Sequence, residues 1–274
     1  SHQAYEASRL DDSETKEMLS KTYPYTILIT EDDDEVRGFL ERELSLHFKI
    51  RTVANGKDAL RVLEEEEISL VVSDVMMPEM NGFELCRTIK SQLPFSHISV
   101  ILLTALTDER QRIFGITGGA DDYIQKPFHT DYVKIKIIHL LQERQKLRER
   151  LLEKLRDNKL LLSEPEKVES IDDTFLRKFA EQIEAVYADP EYNVEKLSET
   201  LGLSRGHLHR KIKELTGTAP VEFLRTYRLN KATQLLRQNA YTVSEVAYRT
   251  GFSSPAYFSK CFKAVYGVTP TEYQ

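Results

Sequence analysis

Leu70-Val71-Val72-Ser73-Asp74-Val75-Met76-Met77-Pro78 is the stretch whose reading decides the fold. An unbroken apolar run leads into an acid, and a proline follows four residues later. Such a run reads as a strand buried on both faces, with Asp74 at its carboxyl end. Open α/β sheets keep their ligand crevice at those ends. An acid closing a strand is commonly a turn former or a helix cap. Matching parts at three other strand ends turn the reading toward chemistry.

Outward from this strand, short apolar runs alternate with helical periods. The strands are Thr26–Thr30, Phe48–Val53, Ser69–Ser73, Ile98–Leu103 and Asp122–Gln125. The helices between them are Glu35–Leu46, Lys57–Glu65, Gly82–Gln92 and Asp108–Thr117, with a fifth from Asp131. Five β–α units imply a parallel sheet covered on both faces. The first strand runs into Glu31-Asp32-Asp33-Asp34, the third into Asp74, the fourth into Thr104-Ala105 and the fifth into Lys126-Pro127. Residues 1–23 are polar and without period, and read as a linker tail.

Several carboxylates close together repel one another and call for a cation. All-oxygen ligands suit Mg²⁺. Glu31 and Asp32 are the metal candidates, with Asp74 as both ligand and nucleophile and the Met76 carbonyl as a further oxygen. A carboxylate can accept a phosphoryl group as an acyl phosphate. Lys126 supplies a point charge for a phosphate oxygen and Thr104 a hydroxyl. Taken singly, each has a plainer reading: Glu31–Asp34 as a helix cap, Thr104 as a strand-end hydroxyl, Lys126 as a solvated lysine.

Ile27-Leu28-Ile29-Thr30-Glu31-Asp32, Ser73-Asp74-Val75-Met76-Met77-Pro78 with Asn81-Gly82, Leu103-Thr104-Ala105 and Gly119 through Phe128 together resemble a response-regulator receiver domain. The resemblance implies a flavodoxin-like, doubly wound sheet over residues 24–140 and phosphorylation of Asp74 by a histidine kinase domain. It also implies a phosphate-contact and switch set of Thr104, Ala105, Tyr123, Lys126 and Pro127, in which Thr104 and Tyr123 move together. A plain core aromatic is the other reading of Tyr123. Thr30 departs from the family, which has an aliphatic residue there.

The 274 residues allow about two domains, each with its own core, at 41% hydrophobic and 30% charged. No apolar run approaches the roughly 20 residues of a membrane helix. Cys86 and Cys261 lie far apart with no metal-ligand neighbours, which suggests buried thiols in a reducing compartment. Without an initiator Met, the chain reads as processed, tagged or a fragment. The net charge of -6 argues against nucleic acid, but its distribution argues for it: Arg205–Gln274 holds eleven basic and four acidic residues.

Leucines from Leu140 to Leu155 fall at helical spacing among charges, giving a helical connector over 141–170 that ends near Ser163-Glu164-Pro165-Glu166. Near-heptad spacing favours pairing across a dimer over docking on the next domain. From 171 the pattern is all helical, and it repeats. Val194–Phe223 matches Val243–Tyr273, aligning Gly202 with Gly251, Leu208 with Phe258, Gly217 with Gly267 and Pro220 with Pro270.

Each copy reads as a helix-turn-helix, whose second helix enters a DNA major groove. The first recognition helix is Ser204–Leu215, with Leu208, Ile212 and Leu215 inward and Arg205, His207, His209, Arg210 and Lys213 outward. The second is Pro255–Tyr266, with Phe258, Phe262 and Val265 inward and Ala256, Tyr257, Ser259, Lys260 and Lys263 outward. Ala247-Tyr248-Arg249-Thr250-Gly251-Phe252-Ser253-Ser254 and Tyr257 through Lys263 resemble the AraC-type DNA-binding domain over 171–274. That resemblance also points Gly206 at a base, but glycine has no side chain to offer.

The combined reading is a phosphorylation-controlled transcriptional regulator that binds double-stranded DNA. It resembles the C-terminal part of a hybrid two-component sensor, with a free-standing response regulator as the alternative. Expected partners are a histidine kinase domain in cis or in trans, a second copy on activation, and RNA polymerase. The expected location is the cytoplasm, or the cytoplasmic part of an inner-membrane sensor. Two other classes stand against this: a metal-dependent phosphatase using the same acidic crevice, and a receiver with a protein-binding helical tail.

Overall fold

In the computed structural model, which describes residues 13–105, 119–156 and 170–274, five strands form one sheet. They are β1 Thr26–Thr30, β2 Lys49–Val53, β3 Leu70–Asp74, β4 Ser99–Thr104 and β5 Asp122–Gln125. The order is β2-β1-β3-β4-β5 and every pairing is parallel. The chain reverses its direction of winding between β1 and β3, which opens the crevice at their carboxyl ends. Period-two alternation makes two cores from the same strands. Ile27, Ile29, Leu70, Val72, Ile101 and Leu103 face one layer; Leu28, Val71, Val100 and Leu102 face the other.

Before β1 comes α1 Ser13–Ser20. The other helices of this unit are α2 Asp34–Ser45, α3 Gly56–Glu65, α4 Gly82–Ser91 and α5 Thr130–Arg156. Side-chain caps start them where the chain leaves a strand. Asp33 accepts from the Glu35 and Val36 amides, Asn55 accepts from the Asp58 amide, and Asn81 and Glu84 form a capping box. The helix expected at Asp108–Thr117 lies outside the described residues, as does the connector's expected end at 163–166.

One expectation is corrected here. Part of the linker tail is structured: Met18 of α1 and Tyr23 pack on the first core layer. Tyr23 stacks on Phe48 and its hydroxyl donates to the Met18 carbonyl. Met18 and Tyr23, five positions apart, set no helical or strand period, but they are enough to seat one short helix on an existing core.

The chain divides into compact units at Ser1–Lys146 and Leu147–Gln274. The second contains α6 Ile171–Val186, α7 Val194–Thr200, α8 Arg205–Thr216, α9 Pro220–Arg237, α10 Val243–Arg249, α11 Pro255–Tyr266 and α12 Pro270–Tyr273. The internal repeat is structural as well as sequential. α8 and α11 both end in a left-handed glycine, Gly217 at φ 75 and Gly267 at φ 79, whose amide returns to the carbonyl of a lysine, Lys213 or Lys263. Leu208 and Phe258, matched in the repeat, are both fully buried.

Candidate functional site

The crevice gathers the strand ends as the sequence predicts. Glu31 and Asp74 are buried and Asp32 is exposed. One carboxylate oxygen from each lies within 4.8 Å of the others. Lys126, directly after β5, reaches across to both buried acids: Nζ is 2.9 Å from Glu31 Oε2 and 3.1 Å from Asp74 Oδ1. Asp74 Oδ1 also accepts from the Val75 amide at 2.8 Å. Arg37 of α2 donates to the Glu31 carbonyl at 2.8 Å, which pins the β1–α2 turn.

The charges tune one another. Burial pushes the Glu31 carboxyl above its ordinary range and the nearby Asp74 charge adds to this, while the hydrogen bond from Lys126 opposes both. Burial alone would pull Lys126 down. Its hydrogen bonds to Glu31 and Asp74, and their charges, outweigh that and hold the ammonium above its usual value. The lysine thus offsets repulsion between two buried carboxylates. The set is oxygen-only, partly exposed and small, which fits a hard divalent cation such as Mg²⁺ better than a softer metal.

The remaining predicted residues lie on the neighbouring strand ends and loops. Thr104 is buried at the end of β4, and its carbonyl accepts from the Lys126 amide at 2.7 Å. Ala105 follows it, exposed. Pro127 is exposed after a cis Lys126-Pro127 peptide. Met76 lies in the β3–α4 loop with its side chain 68% exposed. Tyr123 is half-buried against the second core layer. Of the acidic run, Asp33 is the helix cap and Asp34 lies in the first turn of α2, while Glu31 and Asp32 face the crevice, so the plainer reading holds for two residues of the four.

Gly82, quoted above only as part of the receiver-like pattern, has a steric role that the sequence reading did not assign. A Cβ there would stand 2.2 Å from the Asp74 carbonyl oxygen, so only glycine lets α4 begin so close to the acid. Its position directly after the Asn81 cap was the available signal.

In the second unit, Arg205, His209, Ala256, Tyr257, Lys260 and Lys263 are exposed, and His207, Arg210, Lys213 and Ser259 are half-buried. These are the outward faces of α8 and α11. Arg205 pairs with Glu195 at 2.7 Å. His207 shares a hydrogen bond with the cap residue Ser204 at 3.0 Å, which turns it toward its own helix start.

Val265 is a correction: expected inward, it is 50% exposed. Over the last turn of α11 the buried stripe passes to Tyr266, whose hydroxyl donates to Asn230 Oδ1 of α9 at 2.6 Å. Lys211 and Glu214 of α8 are buried instead. Helical phase carried the signal, because 211 lies on the same stripe as 208, 212 and 215.

Comparison with known proteins agrees with both units. The response regulator receiver domain family matches residues 27–138, and a helix-turn-helix domain family matches residues 197–274. Histidine kinase P4 of Formosa agariphila is 37% identical over 265 residues, which are 97% of this chain and 19% of that protein. Transcriptional regulatory protein GltR of Pseudomonas aeruginosa is 43% identical over 121 residues, 44% of this chain and 50% of the regulator. The signal receiver domain of a signal transduction histidine kinase from Syntrophus aciditrophicus is 38% identical over 43% of this chain and 91% of that domain, with a TM-score of 0.42. The chain therefore spans about a fifth of the kinase and half of the regulator. The chain thus carries a response-regulator receiver domain over residues 27–138, followed by a helix-turn-helix domain of the AraC type over residues 197–274.

Proposed function

We propose that this chain is a phosphorylation-controlled DNA-binding regulator in which Asp74 is the phosphoryl acceptor. The observation that carries this reading is Lys126 bridging the Glu31 and Asp74 carboxylates at the strand ends. An Asp74 oxygen attacks the phosphorus of a phosphohistidine or a small acyl phosphate. The bond to the donor's nitrogen or oxygen breaks, and its electron pair leaves with the donor. Lys126 then trades a carboxylate partner for a phosphoryl oxygen, and the Thr104 hydroxyl donates to another. Glu31, Asp32, Asp74 and the Met76 carbonyl would hold Mg²⁺, which when bound neutralises charge on the transferring group.

Ala105 and Pro127 bracket the same edge as Thr104 and Lys126. Movement of Thr104 toward the phosphoryl group leaves space that Tyr123, half-buried on the adjacent strand opposite Leu102, can fill. A changed surface there favours a dimer, which presents two helix-turn-helix pairs to DNA at high effective concentration. The outward faces of α8 and α11 reach base edges and phosphates through Arg205, His207, His209, Arg210, Lys213, Ala256, Tyr257, Ser259, Lys260 and Lys263. Likeness along nearly the whole chain to part of a histidine kinase supports origin in a hybrid kinase, acting on the cytoplasmic side of the membrane with its kinase domain in cis. RNA polymerase is the downstream partner.

Incubating the full chain with acetyl phosphate and Mg²⁺ and measuring intact mass tests the reading. One stable phosphoryl group per chain, lost in Asp74→Asn, is the expected result. Continuous release of orthophosphate would favour the phosphatase reading instead. Footprinting on genomic DNA with and without the donor tests the output, and a protein-binding tail would give no salt-dependent DNA affinity.

A further inference from the structure

The first recognition helix carries two charges on its buried face. Lys211 is 0% exposed and Glu214 is 7% exposed. Both have partners that come from outside residues 197–274. Lys211 Nζ lies 2.5 Å from Asp172 Oδ1 in the first turn of α6 and 5.1 Å from the centroid of the Phe175 ring. Arg148, on the stretch of α5 within the second unit, places Nη2 2.5 Å from Glu214 Oε2, and its Nε donates to the Glu214 backbone carbonyl.

The second grip is specific to a helix end. The last four carbonyls of a helix lack intrahelical partners, and the helix dipole puts negative charge there. Arg148 answers both needs of α8, satisfying one orphan carbonyl with one nitrogen and a buried carboxylate with another. A guanidinium can do this through its rigid fork, whereas an ammonium presents only a point charge. Asp172 meets the same helix one turn earlier on the same face. Two contacts on one inner stripe fix both the tilt and the rotation of α8 about its axis. That rotation decides which of Arg205, His209, Arg210 and Lys213 face outward.

We infer that Arg148 and Asp172 are positioning residues for DNA recognition, which set the pose of α8 without touching DNA. The inference rests on the DNA-binding reading above. A helix held in the wrong pose still presents positive charge, so base discrimination is lost before non-specific binding is.

The test uses the full chain and a duplex selected by the wild-type chain from a random library. Binding of Arg148→Ala, Arg148→Lys and Asp172→Asn is measured on that duplex and on a scrambled one over a range of salt. The expected result is about tenfold weaker binding of Arg148→Ala to the selected duplex. Affinity for the scrambled duplex and the salt slope should be unchanged. Arg148→Lys should recover only part of the loss, because it keeps the charge and loses the fork. Thermal melting of each variant separates misplacement from unfolding.

Wild-type discrimination in both Arg148 variants and in Asp172→Asn would overturn the inference. So would an equal loss on both duplexes that tracks a lowered melting temperature. If the wild-type chain selects no duplex at all, the DNA reading itself fails, an outcome visible before any variant is made.

Discussion

Replacing Thr30 by Val should make the receiver unit more stable. Thr30 closes β1, is 0% exposed and pairs in register with Ser73 of β3 and Val53 of β2. Among the described residues its Oγ1 has no hydrogen-bond partner. Leaving a buried hydroxyl unpaired costs about 1–3 kcal/mol, whereas exchanging it for an apolar group of the same shape removes that cost. Valine keeps the β-branch, so side-chain rotamer entropy and strand preference hardly change. A gain of about 1 kcal/mol follows, or about 3–5 °C in melting temperature for a unit of this size. Amide hydrogen exchange in β1 and β3 reads this unit separately from the helical one, because central strands exchange through global opening. Exchange at Ile29 and Val72 should slow severalfold. Unchanged or faster exchange would show that the hydroxyl contributes a stabilising bond, and would refute the reasoning.

Lys126→Met removes the cation that offsets two buried carboxylates, so Mg²⁺ affinity by calorimetry should rise at least severalfold, by about 1 kcal/mol even if the charges are screened as fully as in bulk water. An unchanged affinity would mean that the lysine and the metal do not compete. Gly82→Ala drives a Cβ into the Asp74 carbonyl oxygen and should cost at least about 2 kcal/mol in urea melts and abolish phosphodonor labelling. Normal labelling would show that the loop yields. Burial pushes the Cys86 thiol from its usual 9.0 up to about 11, with nearby Lys90 opposing. The folded state therefore holds this proton more tightly than the unfolded state. The stability it confers is complete below pH 9 and is lost as pH rises toward about 11. Chemical denaturation across that window, read by hydrogen exchange in α4, should show the decline. At pH 8 a thiol reagent should label Cys86 only in urea.

The sheet, the crevice and the paired helix-turn-helix copies were legible in the residues because each is encoded locally. Apolar runs mark strands buried on both faces, caps mark helix starts, and parallel connectivity then leaves one edge where all strand ends meet. Glu31, Asp32, Asp74, Thr104 and Lys126 could be placed together for that reason, although Lys126 follows Glu31 by 95 positions. The repeat predicted its own geometry equally well, down to the glycines closing α8 and α11.

Other features depended on partners that no local pattern names. Division of the acidic run into a cap, Asp33, and crevice acids, Glu31 and Asp32, follows from where α2 begins in space. Met18 and Tyr23 became part of a core only because the Phe48 side had room for them. Val265 turned outward because Tyr266 found Asn230 on another helix. Burial of Lys211 and Glu214 was readable from helical phase, but Asp172 and Arg148 were not, since a charge's partner is chosen by proximity after folding. Sequence alone determined which faces of this protein are apolar and which strand ends carry acids. Tertiary structure alone decided which charges meet, because electrostatic pairing acts over a few ångströms between residues that the chain keeps far apart.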